Sequence, residues 1–444
     1  MFWLLYNVLF AVGFVLMLPH FLYRMARRGG YRQDFQQRFA IYSDEQIAHM
    51  RAGKHIWVHA VSVGEYNVAR RYMEALRERC PGFAFVLTTT TSTGYALACT
   101  RADARDQWFY FPVDFPFVVR RALDRIQPAC IVLTEKELWP NLIRLAHKRG
   151  IPVMIINGQI SDASFKGYRR LKPFSKRVFG YIDLILAQSE TARDAYIALG
   201  ADPARVHVRG TAKYDIQLPS EDIASSALDV LERAGMGNGR LLLVGGSTWP
   251  GEEAALCRSL KRLRTAGVDA GLVLVPRHAE RADAVVADVE AEALRVVRRS
   301  EIDAANAITN PDVLLVDTTG ELPAFYASAT LVYIGKTLFN NGAQNMLEPA
   351  LMGKPVIVGP NTENFADVVR ILLDGEGLCQ VQDEAGLHDA VQALMQSESQ
   401  RERLAQKAGE VLRPRQGVVD RSVDDMLPLI LAQAQAPSQH SDQG

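Results

Sequence analysis

Two acids stand where apolar runs break off into helical patterns, and an acid in that place can do chemistry. In "WVHAVSVGEYNVARR" (57–71) a strand-like run passes through Ser62, Val63 and Gly64 into Glu65, and a helix pattern starts at once. An acid in a helix's first turn complements the macrodipole, which is worth ~0.3–1 kcal/mol. A carboxylate at the mouth of a cleft can also act as a general base on an attacking hydroxyl, and Gly64 would let a substrate approach the backbone closely. In "TEKELWPNL" (134–142) Glu135 sits at the strand end beside Lys136, whereas Glu137 reads as a solvated loop acid in a local ion pair. The run "TTTTSTGYA" (88–96) offers hydroxyls for a strand end and a helix cap, or for hydrogen bonds to a sugar.

The second half carries groups suited to an anion. "VPRHAER" (275–281) sets Arg277 and His278 after a strand, where a guanidinium can fork onto a phosphate or simply pair with Glu280. In "NGAQNMLEPALMGKPVIVGP" (341–360) Asn345 and Glu348 have the spacing of a capping box. With Gly342 before them, free helix N–H groups there also suit a nucleotide phosphate, and the glutamate one turn in can hold ribose hydroxyls. "SFKGYRRLKPFSKRVFGY" (164–181) interleaves six basic residues with aromatics, as a solvated helix face or as a patch for anionic head groups. No Asp-x-Asp, GxGxxG after the first strand, GxxxxGK[ST] or GxSxG occurs. Dinucleotide, P-loop and serine-hydrolase chemistry are therefore disfavoured, and leaving-group charge would fall to Arg, Lys and helix N-termini.

Parallel strands must position these residues. The runs "HIWVHAV", "FAFVLTT", "ACIVLTE", "PVMIING" and "IDLILAQ" alternate with helical patterns, and "RLLLVGG", "GLVLVPR", "VLLVDT", "LVYIG" and "PVIVGP" repeat the arrangement. Near-continuous apolar strands of this kind belong to sheets covered on both faces. Ligands then gather beyond the strands' carboxyl ends, where Ser62–Glu65, Glu135–Glu137, Asn157–Gln159, Gly245–Thr248, Pro276–His278, Asp317–Glu321 and Gly335 onward all fall. The expected organisation is a membrane anchor over 1–23, a Rossmann-like domain over 24–216, a linker over 217–226, a second Rossmann-like domain over 227–432 and a disordered tail over 433–444.

Composition narrows the class further. The 444 residues are 48% hydrophobic, with 50 basic and 50 acidic side chains, which speaks against nucleic acid as a partner held by global charge. Five scattered cysteines without a CxxC pair read as reduced, buried residues of a cytosolic body, with no metal site. Residues 1–23 contain no Asp, Glu, Lys or Arg, and Arg24, Arg27, Arg28 and Arg32 follow. That pattern predicts a helix long enough for a bilayer with the body on the cytoplasmic side. It lacks the leading positive charge and small-residue site of a cleaved signal peptide. Asn7, Pro19 and His20 are compatible with a spanning helix or with one lying in a single leaflet.

Taken in order, "HAVSVGE", "TTTTSTGY", "ELWPNL", "NGQISDAS", "GTAKYD", "GGSTWPGEE", "VPRHAER", "DTTGEL" and "NMLEPALMGKPVIVGPNTENF" resemble the Kdo (3-deoxy-D-manno-octulosonic acid) transferases over most of the chain. The resemblance implies an α/β GT-B fold of two Rossmann-like domains with the active site between them, and an inner-membrane location. It implies metal-independent, inverting transfer from CMP-Kdo to a lipid A precursor, with no cofactor. It puts the general base on Glu65 and transition-state stabilisation on Glu135 and Lys213. The CMP site would fall on Pro276, Arg277, Gly320, Glu321, Leu322 and Asn345, Met346, Leu347, Glu348. The chain departs from the family at Gly342-Ala343-Gln344-Asn345, often Gly-Gly-His-Asn there, and at Gly335-Lys336-Thr337, often Gly-Gly-Ser. Glutamine donates a hydrogen bond but carries no imidazolium charge, which Lys336 could supply. Two other readings fit the same residues: a GT-B transferase for another nucleotide sugar and lipid, and a non-catalytic membrane-tethered nucleotide or lipid binder.

Overall fold

A computed structural model describes residues 2–28, 34–100, 103–216, 218, 221–237, 239–302 and 310–435. The chain forms two units, one of Met1–Asp215 with Gly417–Gly444 and one of Ile216–Gln416.

The first unit is built on seven parallel strands: β1 (Lys54–His59), β2 (Phe83–Thr89), β3 (Gln107–Tyr110), β4 (Cys130–Thr134), β5 (Val153–Gly158), β6 (Leu184–Ala187) and β7 (Val206–Val208). Their order is β3-β2-β1-β4-β5-β6-β7. Side chains alternate between the faces, so Trp57, Val86 and Ile131 enter one core while Ile56, Val58 and Val132 enter the other. Helices cover both faces, which is why these strands are apolar throughout. The strand order reverses between β1 and β4, and the residues following those two strands include Glu65 and Glu135. A doubly wound sheet opens its ligand crevice at such a reversal.

The second unit repeats the plan with β8 (Leu241–Thr248), β9 (Ala270–Pro276), β10 (Val296–Arg298), β11 (Val313–Leu315), β12 (Leu331–Ile334), β13 (Val356–Val358) and β14 (Cys379–Gln380). The order is β10-β11-β9-β8-β12-β13-β14, reversing between β8 and β12. Together these are the two Rossmann-like units of a GT-B chain. All ten strands read from the sequence are present. The four that were missed, β3, β7, β10 and β14, are the four sheet edges. They are two to four residues long and pair on one side only, so they carry no long apolar run.

Two boundaries differ from the expectation. A helix, Glu221–Arg233, starts inside the predicted linker 217–226, whose residues 217, 219 and 220 lie outside the described set. The second domain does not run to 432, because the helix Val418–Gln435 belongs to the first unit. Its Val419, Val423, Met426 and Ile430 enter the same core as Val58 and Tyr72. Asp425 accepts two hydrogen bonds from Arg209, and Asp215 accepts from the N–H groups of Gly417 and Val419 at the helix start. The tail beyond 435 and Arg32 lie outside the described residues. All five cysteines are free; Cys80, Cys130 and Cys257 are buried as expected, whereas Cys99 is exposed and Cys379 partly so. The N-terminal helix runs Phe2–Arg28 and is long and apolar enough to cross a membrane.

Candidate active site

Ser62 has extended backbone geometry and caps the helix Val63–Arg79, its Oγ accepting from the Glu65 N–H at 3.4 Å. Glu65 then turns back over the loop. Its Oε2 accepts from the Val61 N–H at 2.7 Å and shares the single proton of Thr134 Oγ1, 3.2 Å away, with the His59 carbonyl at 2.8 Å. Both bonds fall on one oxygen, which fixes the carboxylate and leaves Oε1 outside this pair. Burial pushes the Glu65 acid up from its ordinary value; the Val61 N–H opposes this, while the charge of Glu135 adds to it. The threonine run serves this loop. Thr89 and Thr91 hydroxyls both donate to the Val61 carbonyl at 3.1 Å, and Thr91 Oγ1 accepts from the Gly94 N–H. Thr88 is spent on Trp57 and His59. Thr89 and Thr91 thus hold the Glu65 loop, and Thr88 holds the neighbouring strand, rather than waiting for a sugar. A side chain at Gly94 would put its Cβ 2.7 Å from Thr89 Oγ1, so the close approach requires glycine.

Glu135 follows β4 in the left-handed region, at φ 54°. Asn157, the next-to-last residue of β5, has φ 52° and is buried. Non-glycine residues held there cost ~1–3 kcal/mol and cluster at functional sites. Asn157 explains the pair: its Nδ2 donates to Glu135 Oε1 at 3.1 Å, and its Oδ1 accepts from the Ala212 N–H at 3.1 Å. Ala212 opens the short turn that carries Lys213, which is exposed. One amide thus ties the predicted Glu135 to the predicted Lys213 turn. The sequence places Asn157 only at a strand end; its buried two-sided bonding is a tertiary property.

Glu137 is the correction in this unit. It is not a solvated loop acid, since its side chain is 21% exposed. Burial and then the charge of Glu65 push it up to about 7. Its nearest histidine, His59, lies 4.0 Å away but is fully buried, and that burial lowers it to about 3, so the pair is a neutral imidazole beside an acid and not an ion pair. Glu65, Glu135 and Glu137 form a group of three interacting carboxyls.

In the second unit the predicted donor residues collect at the carboxyl ends of β9, β11 and β12. Pro276 is buried at the end of β9, and Arg277 is exposed, its N–H bonded to the Thr248 carbonyl. Gly320 is left-handed at φ 91°. Glu321 accepts from Thr318 Oγ1 at 2.7 Å and pairs with Arg299 at 3.3 Å, immediately before the helix that starts at Leu322. The capping box expected of Asn345 and Glu348 does not form: the N-cap position of the short helix Leu347–Leu351 is Met346, and Asn345, one residue earlier, accepts through Oδ1 from the Leu347 N–H at 3.1 Å. Met346 and Leu347 are buried and Glu348 is half-buried.

Glu252, in "GGSTWPGEE", organises this end and was given no role from sequence. It is fully buried. Its Oε1 accepts from Tyr333 Oη, Thr337 N and Leu338 N, and its Oε2 from Trp249 N and Lys336 N, at 2.8–3.1 Å. It therefore joins the loops after β8 and β12, the two strands at the reversal. Lys336, at φ 63°, sets its ammonium 4.7 Å from the Trp249 ring centre. A Cβ on Gly335 would fall 2.2 Å from the Ser247 carbonyl oxygen, so these loops touch only because that residue is glycine. Among the described residues no group of three or more His, Cys, Asp or Glu side chains is arranged to hold a metal ion.

Comparison with known proteins agrees with the motifs. Residues 33–216 match the family model for 3-deoxy-D-manno-octulosonic-acid transferase. The chain is 32% identical over 401 residues to the 3-deoxy-D-manno-octulosonic acid transferase of Haemophilus influenzae, covering 90% of this chain and 92% of that one. It is 32% identical over 381 residues to the Bordetella pertussis protein of the same name, covering 83% and 86%. A solved glycosyltransferase from Rickettsia africae shares the fold, with a TM-score of 0.53 over 85% of this chain and 99% of that one at 10% identity.

Proposed function

Because this chain belongs to the 3-deoxy-D-manno-octulosonic acid (Kdo) transferase family and is a glycosyltransferase of GT-B fold, we propose that it moves Kdo from CMP-Kdo to a lipid A precursor. The reaction inverts the anomeric carbon, needs no metal, and takes place at the cytoplasmic face of the inner membrane. An acceptor sugar hydroxyl attacks the anomeric carbon of Kdo. Its proton passes to Glu65, the new carbon–oxygen bond forms, and the bond to the CMP phosphate breaks with its electron pair leaving on the phosphate. Lys213 supplies positive charge for the departing phosphate. Glu135, fixed through Asn157 to the turn of Lys213, keeps that cation in register. Pro276, Arg277, Gly320–Leu322 and Asn345–Glu348 receive CMP, with the Arg277 guanidinium on the phosphate.

The observation that carries this reading is the bonding of Glu65. Two donors on Oε2 orient the group, while burial raises its proton affinity, which suits a base acting on an alcohol. The test is incubation with CMP-Kdo and a tetraacylated lipid A precursor, with product mass as readout. Wild-type chain should add Kdo, and Glu65→Gln should lower the rate by about 10²–10⁴ with CMP binding and unfolding temperature retained. Turnover with UDP-sugars alone, or full activity in Glu65→Gln, would overturn it.

A further inference from the structure

Lys336 stands in the loop after β12, beside the reversal between β8 and β12 where a doubly wound sheet takes its ligand. Its backbone is left-handed at φ 63°, and Ala343 across the loop is left-handed at φ 73°. Residues with side chains rarely adopt that geometry, and those held in it gather at ligand clamps and active sites. Lys336 is held from both sides. Its N–H donates to Glu252 Oε2 at 2.8 Å, and its carbonyl accepts from the Ala343 N–H at 2.9 Å. A second rung, from the Gln344 N–H to the Gly335 carbonyl at 3.2 Å, ties the same two stretches again. This clasp fixes a lysine where glycine would be less strained.

The surroundings of the side chain give that strain a use. The ammonium lies 4.7 Å from the centre of the Trp249 ring, and no acid pairs with it among the described residues. Glu252, which takes its backbone N–H, already has both oxygens filled by five donors. A ring face orients a cation without neutralising it. The Trp249 Nε1 is itself buried with no hydrogen-bond partner, although buried N–H groups are almost always bonded. This corner therefore holds two unsatisfied donors and lacks an acceptor. Glycine at 342 leaves it open, since a Cβ there would fall 3.2 Å from Lys336 Nζ. The Trp249 ring also meets His278, at 5.8 Å between centroids, and the Arg277 N–H is bonded to the Thr248 carbonyl. One ring thus joins Lys336 to the residues after β9, where the donor phosphate is expected.

We propose that Lys336 is a specificity residue of the donor site, its ammonium held on Trp249 to bind an anionic oxygen of the donor. Two such groups exist on a CMP-activated sugar acid, the phosphate and the sugar carboxylate. The inference rests on the reading of the second unit as the CMP-Kdo site. The test uses the full-length chain in detergent, titrated with CMP by calorimetry and assayed for the KM of CMP-Kdo. Lys336→Met keeps the stem over Trp249 and removes the charge, whereas Lys336→Arg keeps the charge. A phosphate contact predicts that Lys336→Met weakens CMP binding at least about tenfold. A carboxylate contact predicts unchanged CMP binding and a KM for CMP-Kdo raised by at least about tenfold. In either case Lys336→Arg should return to within about threefold of wild type, because the charge is retained. Lys336→Gly should show the same loss as Lys336→Met with an unfolding midpoint no lower than wild type, since glycine accepts φ 63°; this separates lost charge from lost fold. Changes below about twofold for both ligands in Lys336→Met, or an equal loss in Lys336→Arg, would overturn the proposal. Wild-type chain that binds no CMP and turns over only UDP-sugars would instead defeat the functional reading on which it rests.

Discussion

Glu252 gives the sharpest quantitative test of how the second unit is held together. Glu252→Gln preserves size and shape but leaves one acceptor oxygen where there were two. With the amide oxygen at the Oε1 position, the bonds from Tyr333, Thr337 and Leu338 persist. The new NH₂ group then faces the N–H groups of Trp249 and Lys336, two donors at the present 2.8 Å. The reverse orientation sacrifices three bonds and keeps two. Bonds to a charged acceptor contribute about 1.5–3 kcal/mol each, so the better orientation costs about 3–6 kcal/mol, a large share of the ~5–15 kcal/mol that holds a domain. The cost is local first, because the stranded N–H groups belong to the loops after β8 and β12. Denaturant unfolding of the full chain, with hydrogen exchange of a peptide covering 333–338 read by mass spectrometry, measures both parts. The expected result is a lowered midpoint and lost protection of Lys336, with Thr337 and Leu338 still protected. A midpoint equivalent to within ~1 kcal/mol of wild type, a loss typical of one ordinary hydrogen bond, with protection intact, would show that the five bonds do not carry the load assigned to them.

Two further outcomes follow from the first unit. Glu137 is raised from about 4.5 to about 7, so between those values the folded chain keeps a proton that the unfolded chain has released, and stability falls as pH rises through that window. Glu137→Gln should therefore match wild type near pH 4.5 and exceed it at pH 8, by at most about 3 kcal/mol and by less to the extent that water reaches the exposed fifth of the side chain; thermal unfolding across pH measures it, and a constant difference would refute the shift. Asn157→Leu removes both bonds joining Glu135 to the turn of Lys213, leaves the buried Ala212 N–H unsatisfied at about 1–3 kcal/mol, and should lower kcat more than it raises KM for the donor, as steady-state kinetics would reveal.

What the sequence determined by itself was local. Ten inner strands were legible because a strand covered on both faces must be apolar along its whole length, and the placement of Glu65 and Glu135 at strand ends came with them. The helical period of Val419, Val423, Met426 and Ile430 is equally local, but which unit that face covers is set by contacts hundreds of residues away, so the sequence assigned the helix to the wrong domain. Edge strands β3, β7, β10 and β14 need only one partner and a few residues, and left little trace. Glu137 reads as an ordinary loop acid until burial and the neighbouring Glu65 charge raise its proton affinity. Glu252 and Asn157 are single polar letters whose meaning lies in donors brought from other strands. Periodicity is written residue by residue along the chain, whereas burial, charge coupling and hydrogen-bond partnership exist only once distant segments meet; the first was readable, and tertiary structure alone decided the second.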